Sequence, residues 1–149
     1  MGLDINFFRV AKEADLDAYK EAQEKYNKAI NANKDDETLT NMYEELKEKN
    51  PYVVCGNFRK VNFLMSFFDY EDDKFNWIDQ EEFGDLIDTC QKVLDGGNAD
   101  ELLPTCGGFF FGSTKYDECY YEDVRYVLEW ANALQIDWEN ERLLMDAWY

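Results

Sequence analysis

Histidine is absent from the 149 residues, and that one absence removes whole classes of chemistry. Ser-His-Asp and Cys-His nucleophile systems, the His-Glu-x-x-His zinc motif and any imidazole pH switch all need the ring. Positive charge is scarce: 15 Lys and Arg stand against 33 Asp and Glu, a net charge of −18. A surface so short of cations does not bind nucleic acid by neutralising phosphates. Only two prolines and eight glycines occur, and no Ser/Pro/Gly-rich linker divides the chain. No apolar run approaches the roughly 18 residues needed to cross a bilayer, and the start lacks a basic segment followed by an apolar stretch. The expectation is a cytoplasmic protein with no membrane contact. Gly2 does not meet the myristoylation pattern, because Asn6 stands where Ser or Thr is required.

What the chain has is aromatic bulk. Eleven Phe, four Trp and ten Tyr, within 46% hydrophobic residues, bury enough apolar surface to offset the ordering entropy of one domain. The four cysteines, Cys55, Cys90, Cys106 and Cys119, form no Cys-x-x-Cys pair. They read as reduced thiols, mostly buried, and not as a metal site. No cofactor is expected.

Periodicity divides the chain into elements. Residues 3–10 alternate as a strand. Leu16, Tyr19, Gln23, Tyr26 and Ile30 recur at helical spacing, and Leu39, Met42, Tyr43 and Leu46 do so again before Asn50-Pro51, so residues 15–49 are predicted to form a helical hairpin. Tyr52–Cys55 reads as a short strand with Gly56-Asn57 as its turn. A helix opening near Arg59 is marked by Val61, Leu64, Met65 and Phe68. Residues 69–78 read as irregular or as a short strand around Phe75–Ile78, and Asp79 with Glu82 forms a capping box for a helix carrying Phe83, Leu86, Ile87, Cys90 and Leu94, closed by Gly96-Gly97. Phe109-Phe110-Phe111 reads as a buried strand or packed loop, and Tyr116–Tyr120 as the returning strand of a hairpin. Val124, Val127, Leu128 and Ala131 mark the last helix. The tail 137–149 either docks as a short helix or presents an aromatic anchor. The expected architecture is α+β: one domain over 1–149, a small antiparallel sheet packed by helices, with the 15–49 hairpin protruding.

Charge is unevenly spread. Residues 1–60 carry 12 acids and 10 bases, whereas residues 61–149 carry 21 acids against only Lys74, Lys92, Lys115, Arg125 and Arg142. Such a surface suits a basic partner, although surplus carboxylates also serve as a plain solvated face. Asp69–Asp73 is not a calcium loop, since Lys74 and Gln80 stand where Gly and Glu are required. It adds Asp72 and Asp73 to the acidic surface. Glu81, Asp85 and Asp88 follow at i, i+4 and i+7 on one helix stripe, neighbouring carboxylates roughly 6 Å apart, which approaches the spacing of successive phosphates. These five residues are the candidate partner-binding face, and no catalytic residue or metal ligand is assigned.

Gly107–Lys115 holds the glycines and hydroxyls of a phosphate cradle but not the order of a P-loop. The one locally basic patch, Arg59, Lys60 and Asn62, could meet Ser113 and Lys115 to form a small pocket, with Asp117 or Glu118 as an acid. The alternative is that the Arg-Lys pair serves internal ion pairs.

Three segments, Met1-Gly2-Leu3-Asp4, Phe58-Arg59-Lys60-Val61-Asn62 and Leu102-Leu103-Pro104 through Gly107-Gly108-Phe109-Phe110-Phe111-Gly112-Ser113-Thr114-Lys115-Tyr116-Asp117, together resemble a family of small, functionally uncharacterised proteins of bacteriophages, prophages and other mobile elements. The resemblance implies a protein acting in the cytoplasm of an infected bacterium, where small acidic proteins inhibit host defence or nucleic-acid machinery. Two functions follow as expectations. One is a non-enzymatic inhibitor whose DNA-mimic-like carboxylates engage the basic surface of a host protein. The other is a small-molecule- or nucleotide-binding protein or enzyme using Arg59, Lys60, Asn62, Ser113 and Lys115.

Overall fold

In the computed structural model, which describes residues 2–149, strand β1 (Asp4–Ala11) forms where the alternation is cleanest. Ile5 and Phe7 are fully buried and Asn6 and Phe8 face the other way. The chain then leaves the sheet as the helical hairpin α1 (Leu16–Asn31) and α2 (Asp36–Lys49). Asp15 caps α1 by accepting from the Ala18 N–H at 2.9 Å, Asn33 turns the chain at φ 52°, and Pro51 follows the end of α2. Tyr26 and Tyr43 pack across the hairpin. α2 buries no residue, and the attachment to the body runs through Tyr19, whose ring lies 5.7 Å from that of Tyr52.

Strand β2 (Tyr52–Arg59) returns antiparallel to β1. This corrects the expected turn at Gly56-Asn57. Register passes from Phe7↔Gly56 to Phe8↔Val54, so Cys55 is the extra residue of a bulge. The Trp130 indole N–H donates to the displaced Cys55 carbonyl at 2.8 Å. Gly56 is needed because a Cβ there would lie 2.7 Å from the Trp130 ring.

The next helix, α3 (Phe63–Phe67), starts later than expected. Arg59 still pairs with Asp4 in the sheet, and Lys60, at φ 60°, turns the chain before the helix can begin. Strand β3 (Asn76–Ile78) leads into α4 (Gln80–Leu94), where Asp79 accepts from the Glu82 N–H at 2.8 Å. Gly96 at φ 103° ends α4, and α5 (Ala99–Leu102) follows. Of Phe109–Phe111 only Phe111 is buried; Phe109 is 84% exposed, and the segment is loop, not strand. Tyr116–Tyr120 is not a strand either. Asp117 accepts from the Tyr120 N–H and opens α6 (Glu118–Ala133), because its carboxylate offers a better N-terminus than the short aromatic run offers a strand partner.

The tail is strand β4 (Glu141–Trp148), neither a docked helix nor a free anchor. It pairs with β1 from Asp4↔Trp148 to Ala11↔Glu141 and with β3 on its other side. The sheet order is β2-β1-β4-β3, antiparallel throughout, so the fold is α+β with its two ends in the central strands. Helices α4 and α6 pack on one another, and α6 sends Trp130 onto the sheet. Its ring meets Phe7, Phe58 and Phe83 at centroid distances of 4.8, 4.9 and 5.7 Å. Such aromatic contacts add about 0.5–1.5 kcal/mol each beyond area burial. No helix of the described residues is long and apolar enough to cross a membrane.

Candidate functional site

Two surfaces emerge. The first lies on the outer side of the helical layer. α4 turns Phe83, Leu86, Cys90 and Val93 inward, which sends Glu81, Asp85 and Asp88 outward, all three exposed. Beside it, α6 exposes Glu118, Glu122 and Glu129 along one stripe with Arg125. This second set adds to the five acidic residues expected, and its i, i+4, i+11 spacing is visible in the sequence. Among the described residues the ion pairs are Lys47–Glu44, Lys49–Glu45, Arg59–Asp4 and Lys74–Glu71. Among the described residues no carboxylate of α4 or α6 has a cation within 4.0 Å, and Lys92 and Arg125 are the two cations on these neighbouring helices, so both helices are net negative.

Asp72 and Asp73 lie elsewhere. Both are exposed in the loop before β3, and Asp72 accepts a hydrogen bond from the Tyr149 hydroxyl. That places Asp72 at the C-terminal end of β4, whereas α4 starts beyond Ile78, which pairs with Leu143 toward the opposite end. The five predicted acidic residues thus divide into two groups.

The second surface is a cleft of about 170 Å³, where the structure brings together Arg59, Lys60, Asn62, Ser113 and Lys115, with Asp117, Cys119 and Asp123 from the start of α6. Asn62 is 3% exposed and makes three hydrogen bonds to the surrounding backbone. Its amide N–H groups donate to the Phe111 and Ser113 carbonyls, both at 3.0 Å, and its carbonyl accepts from the Cys106 N–H at 3.1 Å. Asn62 therefore builds the cleft: both of its amide hydrogens and one lone pair of its carbonyl are spent on the walls, so it has no N–H left to donate to an anion. Lys60 at φ 60° and Gly112 at φ 88° meet here, and a Cβ on Gly112 would come within 3.2 Å of the Lys60 Cβ. Arg59 approaches Asp4 at 3.6 Å, while Lys60 and Lys115 have no carboxylate within 4.0 Å among the described residues. Asp123 is half-buried. Burial raises its carboxyl above the usual range, and Glu122 and Asp117 push the same way.

The four thiols are free. Only Cys90 is buried, and burial pushes its thiol up to about 12; Cys55 and Cys106 are half-buried and Cys119 is exposed, fewer buried thiols than expected. No protein-family model, curated protein or solved structure matches the chain.

Proposed function

We propose that this is a non-enzymatic interaction protein whose helical layer presents carboxylates to a basic surface on a partner protein. The observation that carries the reading is the pair of adjacent helices, α4 and α6, whose outward carboxylates outnumber Lys92 and Arg125 and form no ion pair among the described residues. Like charges at i, i+4 destabilise an isolated helix by a few tenths of a kcal/mol per pair, and a cationic partner removes that cost. Carboxylates roughly 6 Å apart on a rigid layer approach phosphate spacing, so the partner is of the kind that holds nucleic acid in a basic channel. In the setting implied by the resemblance to mobile-element proteins, that partner belongs to the host, the protein works in the bacterial cytoplasm, and occupying the channel inhibits it.

The test is affinity capture from bacterial lysate with the tagged full chain at low and high salt, with bound proteins identified by mass spectrometry. Recovery of a basic nucleic-acid-binding protein at low salt and its loss at high salt is the expected result. An empty capture, or one insensitive to salt, contradicts the reading.

A further inference from the structure

We propose that the cleft between the β2–α3 turn, the 105–115 loop and the start of α6 binds the phosphate group of a small phosphate monoester. Three of the chain's fifteen cations, Arg59, Lys60 and Lys115, line this one small concavity on a molecule of net charge −18. Where carboxylates outnumber cations about two to one, ammonium groups ordinarily find acidic neighbours, yet Lys60 and Lys115 form no ion pair among the described residues. Arg59 is held only loosely by Asp4 at 3.6 Å. Its planar fork can therefore turn to an anion and bind it in bidentate fashion. Ser113 adds a hydroxyl: its Oγ accepts from the Lys115 backbone N–H at 3.1 Å, which leaves the O–H to donate.

The walls are fixed before any ligand arrives. Asn62 ties the 105–115 loop to the start of α3 through three hydrogen bonds, and the left-handed Lys60 and Gly112 meet in contact. The backbone is thus set in advance, and binding has the exposed Lys60 and Lys115 side chains left to order. At about 170 Å³ the cleft is smaller than the roughly 300–1,000 Å³ of sites that enclose a whole ligand. It fits a charged head group, with the rest of the molecule directed to solvent. Two carboxylates oppose the three cations. Asp117 is held by its capping bond to the Tyr120 N–H, and Asp123 stands half-buried at the wall. Their presence limits affinity and favours a ligand that also offers a hydroxyl, as a phosphate monoester of a polyol does.

This inference is independent of the acidic-face reading, and either can fail without the other. The experiment is isothermal titration calorimetry on the full chain at fixed ionic strength, with glycerol 3-phosphate, inorganic phosphate and glycerol as the probes. Glycerol 3-phosphate is expected to saturate one site, phosphate to bind the same site more weakly, and glycerol to give no heat. Lys60→Gln with Lys115→Gln is expected to weaken glycerol 3-phosphate about tenfold or more. Should that double variant melt below the native protein, Ser113→Ala provides the comparison, with an expected loss of roughly threefold. Absence of saturable binding, binding of phosphate without the ester, or variants that bind as the native protein does would overturn the proposal.

Discussion

Asn62 does the work of a tether: one buried amide satisfies two carbonyls and one N–H across 44 to 51 residues of chain. Replacing it with alanine leaves those groups unpaired, and each buried unsatisfied group costs about 1–3 kcal/mol. Asn62→Ala is expected to lose about 2–4 kcal/mol in urea unfolding, whereas Lys115→Gln on the exposed rim is expected to lose less than about 0.5 kcal/mol; equal losses would show that the amide bonds do not hold the cleft. Asn62 and Ser113 do meet, as their polarity suggests, but the amide holds the loop, and spacing along the chain does not reveal how many of its hydrogen bonds the fold consumes. Gly56 misled for a related reason. A glycine required by a tryptophan 74 residues away looks, locally, like a glycine required by a turn.

Asp123 sets a pH dependence with a definite sign. Its carboxyl is raised above the ordinary value by burial and then by Glu122 and Asp117. The folded chain therefore holds this proton to higher pH than the unfolded chain does. The group opposes folding above its raised pKa and not below the ordinary carboxylate range, so its contribution worsens as pH rises through that window. Asp123→Asn is expected to raise Tm by about 1–2 °C near pH 7 and to leave it unchanged near pH 3. A gain of equal size at both pH values would mean that the charge is not the cause.

At the scale of elements, helices are legible where side chains recur every three or four residues, and an N-terminus where a capping box marks it, as at Asp79. Strands fared worse. β4 carries Leu143, Leu144 and Met145 in succession, a run that fits either a helix or a strand, and its partners lie at the far end of the chain. The 15–49 hairpin, by contrast, declares itself locally because its two helices pack on each other and owe little to the sheet. Its ends support that independence: Val10 and Tyr52 are already paired neighbours in adjacent strands. Replacing residues 13–50 with an Asn-Gly turn is expected to leave a cooperative thermal transition and the same β-sheet circular dichroism, at a modest loss from Tyr19, which is 8% exposed against the body. A shortened chain without a cooperative transition would show that the hairpin is part of the folding core.

Over the whole molecule, charge is partitioned between two kinds of surface. Carboxylates that form no ion pair among the described residues line α4 and α6, and three cations are gathered into one cleft. Composition and segment counts exposed the first partition, since 21 acids against five bases in residues 61–149 cannot be neutralised internally. They did not separate Asp72 and Asp73 from the α4 stripe, because nearness in sequence across β3 is not nearness on the surface. Acidic faces of this kind act mainly by steering and holding a cationic partner, and their effect fades with salt. The decisive measurement for the acidic face compares the native chain with the Glu81→Lys, Asp85→Lys, Asp88→Lys variant for affinity to the captured basic partner at low salt. Binding about 10- to 100-fold weaker is expected for the variant, with its melting temperature preserved. Equal affinity of the two proteins for that partner would contradict it.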